Sequence, residues 1–186
     1  LTMTTAIDSF LVDDVIISGK AQNNVYKVSD EEYEKMIEDS VYSTGNNARI
    51  KKVIQNARDG KDVTLAYIGG SITEGALAKP NSMCYAEVSA KTFGAKYGKN
   101  NGENVHFINA GMSGTPSDIG VVRYNRDVID RLPEGSDHPD VLFIEFAVND
   151  YGTATEGRGY EGLIRQALKS GSAVVLVFSV FQKASG

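Results

Sequence analysis

The sequence predicts an α/β fold, a three-layer sandwich with a central parallel sheet and helices on both faces. Two observations carry this. From residue 46 onward, short apolar segments alternate with helical patterns, the order that builds βαβ units. Those apolar segments show little polar alternation, as expected of strands covered from both sides. Crossovers between such strands are right-handed.

The elements follow in order. "NNARIKKVIQNARDG" places Ile50, Val53, Ile54 and Ala57 on one helical face, and Gly60 ends the helix. "VTLAYIGG" supplies a first strand over 63–69, and "CYAEVSAKTFGAKYG" a helix over 84–98. "NVHFINAG" (104–111) reads as the second strand, and "SDIGVVRYNRDVIDRL" (117–132) as a helix with Ser117 as its cap. "DVLFIEFAVND" (140–150) reads as a third strand, followed by a helix at 158–170 and a strand, "AVVLVFSV", at 173–180.

Residues 1–45 stand apart, as a strap on the main domain of 46–186 or a remnant of an upstream module. They hold a strand-like stretch at 9–18 and a capping box in which Glu32 follows Ser29 by three.

Composition narrows the function classes. At 186 residues the chain is long enough to bury a real core. Its net charge of −5 argues against a nucleic-acid partner, since phosphate binders present a basic face. No stretch approaches a transmembrane span, so no membrane partner is expected. One cysteine, Cys84, excludes an internal disulfide framework and a cysteine-based zinc site, and reads as a small buried hydrophobe. The compartment stays open between cytoplasmic and secreted.

In open parallel sheets ligands bind beyond the carboxyl ends of the strands. Just past each strand stand Gly70 and Ser71, then Asn109, Ala110 and Gly111, then Asn149 and Asp150. Ser71 offers a hydroxyl on a sharp strand-to-helix turn. Its own N–H, the Gly111 N–H and the Asn149 amide are three donors suited to a developing oxyanion. Any one of these stretches alone is an ordinary turn or cap. Three in order, each just past a strand, point to a site.

"IGGSITEG", "INAGMSGTPSD" and "EFAVND" resemble the first three sequence blocks of the SGNH, or GDSL-type, hydrolases, from about residue 46 to 180. The wording is most similar to carbohydrate esterases that remove acetyl groups from polysaccharides. The resemblance implies the flavodoxin-like fold of that family and a serine esterase working through an acyl-enzyme. Ser71 is then the nucleophile, with Gly111 and Asn149 completing the oxyanion hole. Gly70 stands where the family usually has Asp. Asp118 and Arg123 look like family residues with a structural role, tying helix and loop together.

The family takes its base from a late Asp-x-x-His block, and no Asp-x-x-His occurs here. A serine hydroxyl needs such a base. His138 precedes the third strand, at the opposite edge from Ser71. His106 lies inside the second strand, about 10 Å short of its carboxyl end at about 3.3 Å per residue. Both read as structural histidines, and the catalytic His and Asp are expected to lie outside this chain. The sequence thus reads as a hydrolase domain truncated at its C-terminus, weak or inactive alone and prone to pair with a second chain through its incomplete sheet edge.

The alternatives are a lipase or thioesterase of the same fold, and a non-catalytic Rossmann-like ligand binder. The wall formed by 76–83 separates the first from a sugar esterase. The second lacks the Gly-Lys-Ser/Thr of a phosphate loop. No cofactor or metal is implied. Glu74 and Glu145 have no His or Cys partners at ligand spacing, and Glu145 reads as a buried structural carboxylate.

Overall fold

The structure, a computed structural model, describes residues 29–43, 45–153 and 157–179. The strand expected at 9–18 lies outside them. The chain divides into two compact units, Leu1–Ala48 and Arg49–Gly186. In the first, α1 (Asp30–Ser40) starts at the expected capping box. The Ser29 hydroxyl accepts the Glu32 N–H at 3.2 Å, and Glu32 Oε2 accepts the Ser29 N–H at 2.9 Å.

The second unit holds the sheet. After α2 (Ala48–Arg58) come β1 (Val63–Gly69), α3 (Ser71–Glu74), α4 (Tyr85–Tyr97) and β2 (Val105–Gly111). Then follow α5 (Ser117–Asp127), β3 (Val141–Glu145), α6 (Ala147–Asp150), α7 (Arg158–Ser170) and β4 (Ala173–Leu176). All pairings are parallel, in the order β2-β1-β3-β4. The expected α/β architecture is the one observed.

Burial explains the arrangement. Every residue of β1 is buried, as a central strand covered on both faces requires. Ala66, Ile68, Leu142, Ile144 and Phe146 pack with Tyr124 of α5 and Leu163 and Ala167 of α7. On the other face the Tyr67 ring stacks on Phe143 at 4.2 Å, and its hydroxyl meets Ser89 of α4 at 2.9 Å. Register then decides where chemistry can sit. Gly69 pairs with Gly111 on one side and with Glu145 on the other, so three strands end at one level.

Several boundaries differ from expectation. β3 stops at Glu145 because Phe146 turns out of extended geometry (φ −140°, ψ 8°), and 147–150 form one helical turn. The helix expected over 117–132 breaks after Asp127, with a separate 3₁₀ turn at Ile129–Arg131. Ser117 is the first helical residue and Pro116 takes the cap position. β4 ends at Leu176, short of the expected 180. Among the described residues no helix is long and apolar enough to cross a membrane.

Candidate active site

β1 leaves the sheet through two glycines, and contact rather than torsion requires them. A Cβ on Gly69 would lie 2.0 Å from Thr73 Oγ1, and one on Gly70 would lie 2.1 Å from Asn149 Oδ1. Gly70 has φ −85°, open to any residue, so the near approach of Asn149 is what excludes a side chain. The Gly70 N–H donates to the Glu145 carbonyl at 3.1 Å, holding the turn to the end of β3. Ser71 is the first residue of α3, and its carbonyl accepts the N–H groups of Gly75 and Ala76 at 3.0 and 3.1 Å. Its own N–H stands at the open end of that turn, where no intrahelical acceptor exists.

The end of β2 corrects one expectation. The Gly111 N–H donates to Asn109 Oδ1 at 2.8 Å, so it is already engaged rather than aimed at a ligand. A Cβ on Gly111 would meet Glu74 N at 2.1 Å. Its role here is to seat α3 against β2, helped by Asn109 Nδ2 donating to the Thr73 carbonyl at 2.9 Å. The loop beyond is held by Ser113, whose N–H donates to Glu74 Oε2 at 3.0 Å and whose hydroxyl bonds the same oxygen. Within it Gly114 adopts φ +72° with open space around it, and its N–H makes no hydrogen bond among the described residues. The next carbonyl, that of Thr115, lies 3.7 Å from the Cβ position of Gly70. The loop therefore runs beside the Ser71 turn.

Asn149 stands on α6, not at the end of a strand. The N–H groups of Asn149 and Asp150 both donate to the Phe146 carbonyl at 2.9 Å. Its amide oxygen faces Gly70, which leaves the NH₂ as the free end. Asp150, 8% exposed, accepts the Ser117 N–H at 2.7 Å and so ties α5 to α6. Arg123, 4% exposed, spans the ends of two strands. Nη1 donates to the Ala110 carbonyl at 2.6 Å and Nη2 to the Gly69 carbonyl at 2.9 Å. Its expected tie is therefore made to strand ends rather than to a loop.

No family model matches this chain, and no curated protein matches it. Solved structures do. A two-domain esterase (CEX) active on acetylated mannans is 35% identical with a TM-score of 0.66, over 77% of this chain and 37% of that one. Its co-crystal with mannopentaose gives 36% and 0.64, over 74% and 35%. A variant of the esterase AlinE4, an SGNH-hydrolase family member, is 21% identical with a TM-score of 0.50, over 63% and 59%. The chain has the SGNH-hydrolase fold. The resemblance carried by the three blocks therefore holds, and the chain spans about 37% of the two-domain esterase it resembles.

On this SGNH scaffold neither histidine comes near Ser71. His106 pairs in register with Thr64, five residues before the Gly69–Gly111 level, and Nε2 lies 3.5 Å from Asp62 Oδ1. His138 sits ahead of β3, its Nδ1 2.5 Å from Asp137 Oδ1 and its ring beside Gly171. Cys84 is buried, as expected. No group of His, Cys, Asp and Glu among the described residues is arranged to hold a metal ion.

Two residues near the site, Asp150 and Gly114, had little signal in the sequence. Asp150 looked like the second half of a turn pair, yet it clamps α5. Gly114 was one glycine in a polar loop, and only its positive φ and open N–H single it out. Glu145 is buried at 1% exposure, its carbonyl bonded to Gly70 of the Ser71 turn. Burial pushes its carboxyl above the ordinary 4.5, against the opposing pull of hydroxyls on Ser179 and Thr73.

Proposed function

We propose that the chain carries the nucleophile half of a serine esterase that removes acetyl groups from carbohydrates. The observation that carries this is Ser71, held on a strand-to-helix turn so tight that Gly70 touches the Asn149 amide. Its 35% identity to an esterase active on acetylated mannans supports the substrate class. Segment 76–83 is mostly exposed, which supports an open polysaccharide surface over a deep acyl-chain pocket.

In this reading Ser71 Oγ attacks the ester carbonyl and forms an acyl-enzyme. The Ser71 N–H and the Asn149 NH₂ face the developing oxyanion. With the Gly111 N–H engaged by Asn109, the free Gly114 N–H is the better third donor. The attack needs a base to take the hydroxyl proton, and neither His106 nor His138 reaches it. Turnover by these 186 residues alone is therefore expected to be weak or absent.

Intact mass after prolonged exposure to excess fluorophosphonate tests the nucleophile. One adduct, lost in Ser71→Ala, is expected. An adduct that survives Ser71→Ala overturns the assignment. No adduct in the wild type means a folded hydrolase domain whose serine has no base to activate it. Acetyl release from acetylated mannan at an ordinary enzymatic rate, about 1 s⁻¹ or more, would overturn the expectation of weak turnover.

A further inference from the structure

Glu145 brackets Ser71. Its backbone carbonyl accepts the N–H of Gly70, one residue before the serine, at 3.1 Å. Its carboxylate Oε2 accepts the hydroxyl of Thr73, two residues after the serine, at 3.5 Å. Thr73 is fully buried and pinned from other sides as well. Its Oγ1 lies 3.0 Å from the Tyr85 hydroxyl, and its carbonyl takes the Asn109 amide. With Thr73 donating to Glu145, the Tyr85 hydroxyl donates to Thr73, and a chain of three side chains runs under the turn.

The other carboxyl oxygen decides the charge. Oε1 is buried and accepts no hydrogen bond. The groups that surround this carboxyl come from five segments. They are Thr73 of α3, Asp150 of α6 with the Ala147 N–H, and Ser179 beyond β4, while Tyr85 of α4 and Tyr160 of α7 feel its charge in turn. None is a cation, and Asp150 is a like charge. The Thr73 and Ser179 hydroxyls and the Ala147 N–H favour the ionised form. An ionised carboxylate here would still bury its charge with no counter-ion and Oε1 unbonded, and burial outweighs those donors. A proton on the carboxyl lowers that cost by removing the charge. A leucine would fill the same strand position without any of these demands, so the acid is there for something besides packing.

We propose that Glu145 is held as a neutral carboxylic acid and is a positioning residue for the nucleophile turn. The proposal rests on the reading of Ser71 as nucleophile for its purpose, but its physical content is independent of that reading. The neutral acid fixes Thr73, and Thr73 fixes the far side of the turn that Gly70 fixes on the near side.

Amide hydrogen exchange across 69–76 tests it, compared in wild type, Glu145→Gln and Glu145→Leu. Glu145→Gln, neutral and of the same shape, is expected to protect the turn as the wild type does. Glu145→Leu is expected to exchange about tenfold faster there, with β2 peptides unchanged. As pH rises above 4.5 through the raised value, wild-type protection should fall beyond the intrinsic increase in exchange, and that of Glu145→Gln should not. If Glu145→Leu fails to fold, Thr73→Val removes the same hydroxyl from the other end and should loosen the same peptide. Full protection in the folded Leu variant, or in Thr73→Val, overturns the proposal. So does a Gln variant that loosens while the wild type holds at every pH. Fluorophosphonate labelling is read separately, so failure of the esterase reading leaves the exchange result intact.

Discussion

The two ends of the sheet are built from different materials. At the amino ends of the strands, polar side chains mostly close loops with satisfied bonds, His106 Nε2 and Ser172 Oγ being the exceptions. Asn104 donates to the carbonyls of Ala57 and Lys61 and accepts the Lys99 N–H, while Asp140 Oδ2 accepts the Thr64 N–H at 2.8 Å. At the carboxyl ends, Gly69, Gly70 and Gly111 pass too close to Thr73, Asn149 and Glu74 to carry any side chain. Glu145, Asp150 and Ser117 each keep a buried oxygen without a partner there. One end is finished mostly as structure. The other holds polar groups under tension between burial and bonding, the usual mark of a place kept for chemistry. Both histidines lie at the finished end.

The contrast can be broken most forcefully at Arg123. Truncation to Ala takes the guanidinium from the Ala110 carbonyl and from the Gly69 carbonyl, which keeps only the Met112 N–H. It should cost about 2–4 kcal/mol, read by urea unfolding. A loss under about 1 kcal/mol would mean that the carboxyl end does not depend on this tie. Next comes Gly70→Ala, whose methyl must displace Asn149. It should destabilise by about 1–3 kcal/mol, and any Ser71 labelling should slow about a hundredfold. Normal labelling in a folded Gly70→Ala would remove Asn149 from the site.

A smaller effect lies beside Arg123. The Arg126 and Arg123 guanidinium groups hold the Asp127 carboxyl down to about 2. Because the folded value is depressed, this stability is complete above the ordinary 3.8 and is lost as pH falls toward about 2. Asp127→Asn should flatten that part of an acid unfolding curve and leave the neutral region nearly unchanged. The smallest change is expected at the finished end. His106→Ala and His138→Ala should leave Ser71 labelling unaltered and move stability by about 0.5 kcal/mol or less. A lost adduct in either would put the base back inside this chain.

Much of this layout was legible from the chain alone, for a physical reason. Strands buried on both faces write continuous apolar runs, and glycines at their ends mark where backbone meets backbone. The same logic misled at 146–150, where "FAVND" continues the apolar run of β3 but folds into a helical turn. Periodicity does not separate a short buried helix from a strand. Ser117 looked like a cap because its hydroxyl suits the part, but the N–H is met by Asp150, 33 residues away. The engagement of the Gly111 amide by Asn109 was equally hidden. It depends on a side chain bending back two residues, which no spacing rule records. What the sequence could not write was which donors are already taken.

The strand order has a consequence for how this protein comes apart. β1 lies between β2 and β3, buried along its whole length, while β2 and β4 form the outer rows. Dismantling that starts from either margin would take away the Gly114 loop or β4 first. The segment presenting Ser71 would go last. Partial damage would therefore remove the surroundings of Ser71 before the strand against which they reassemble, and mild unfolding should be reversible.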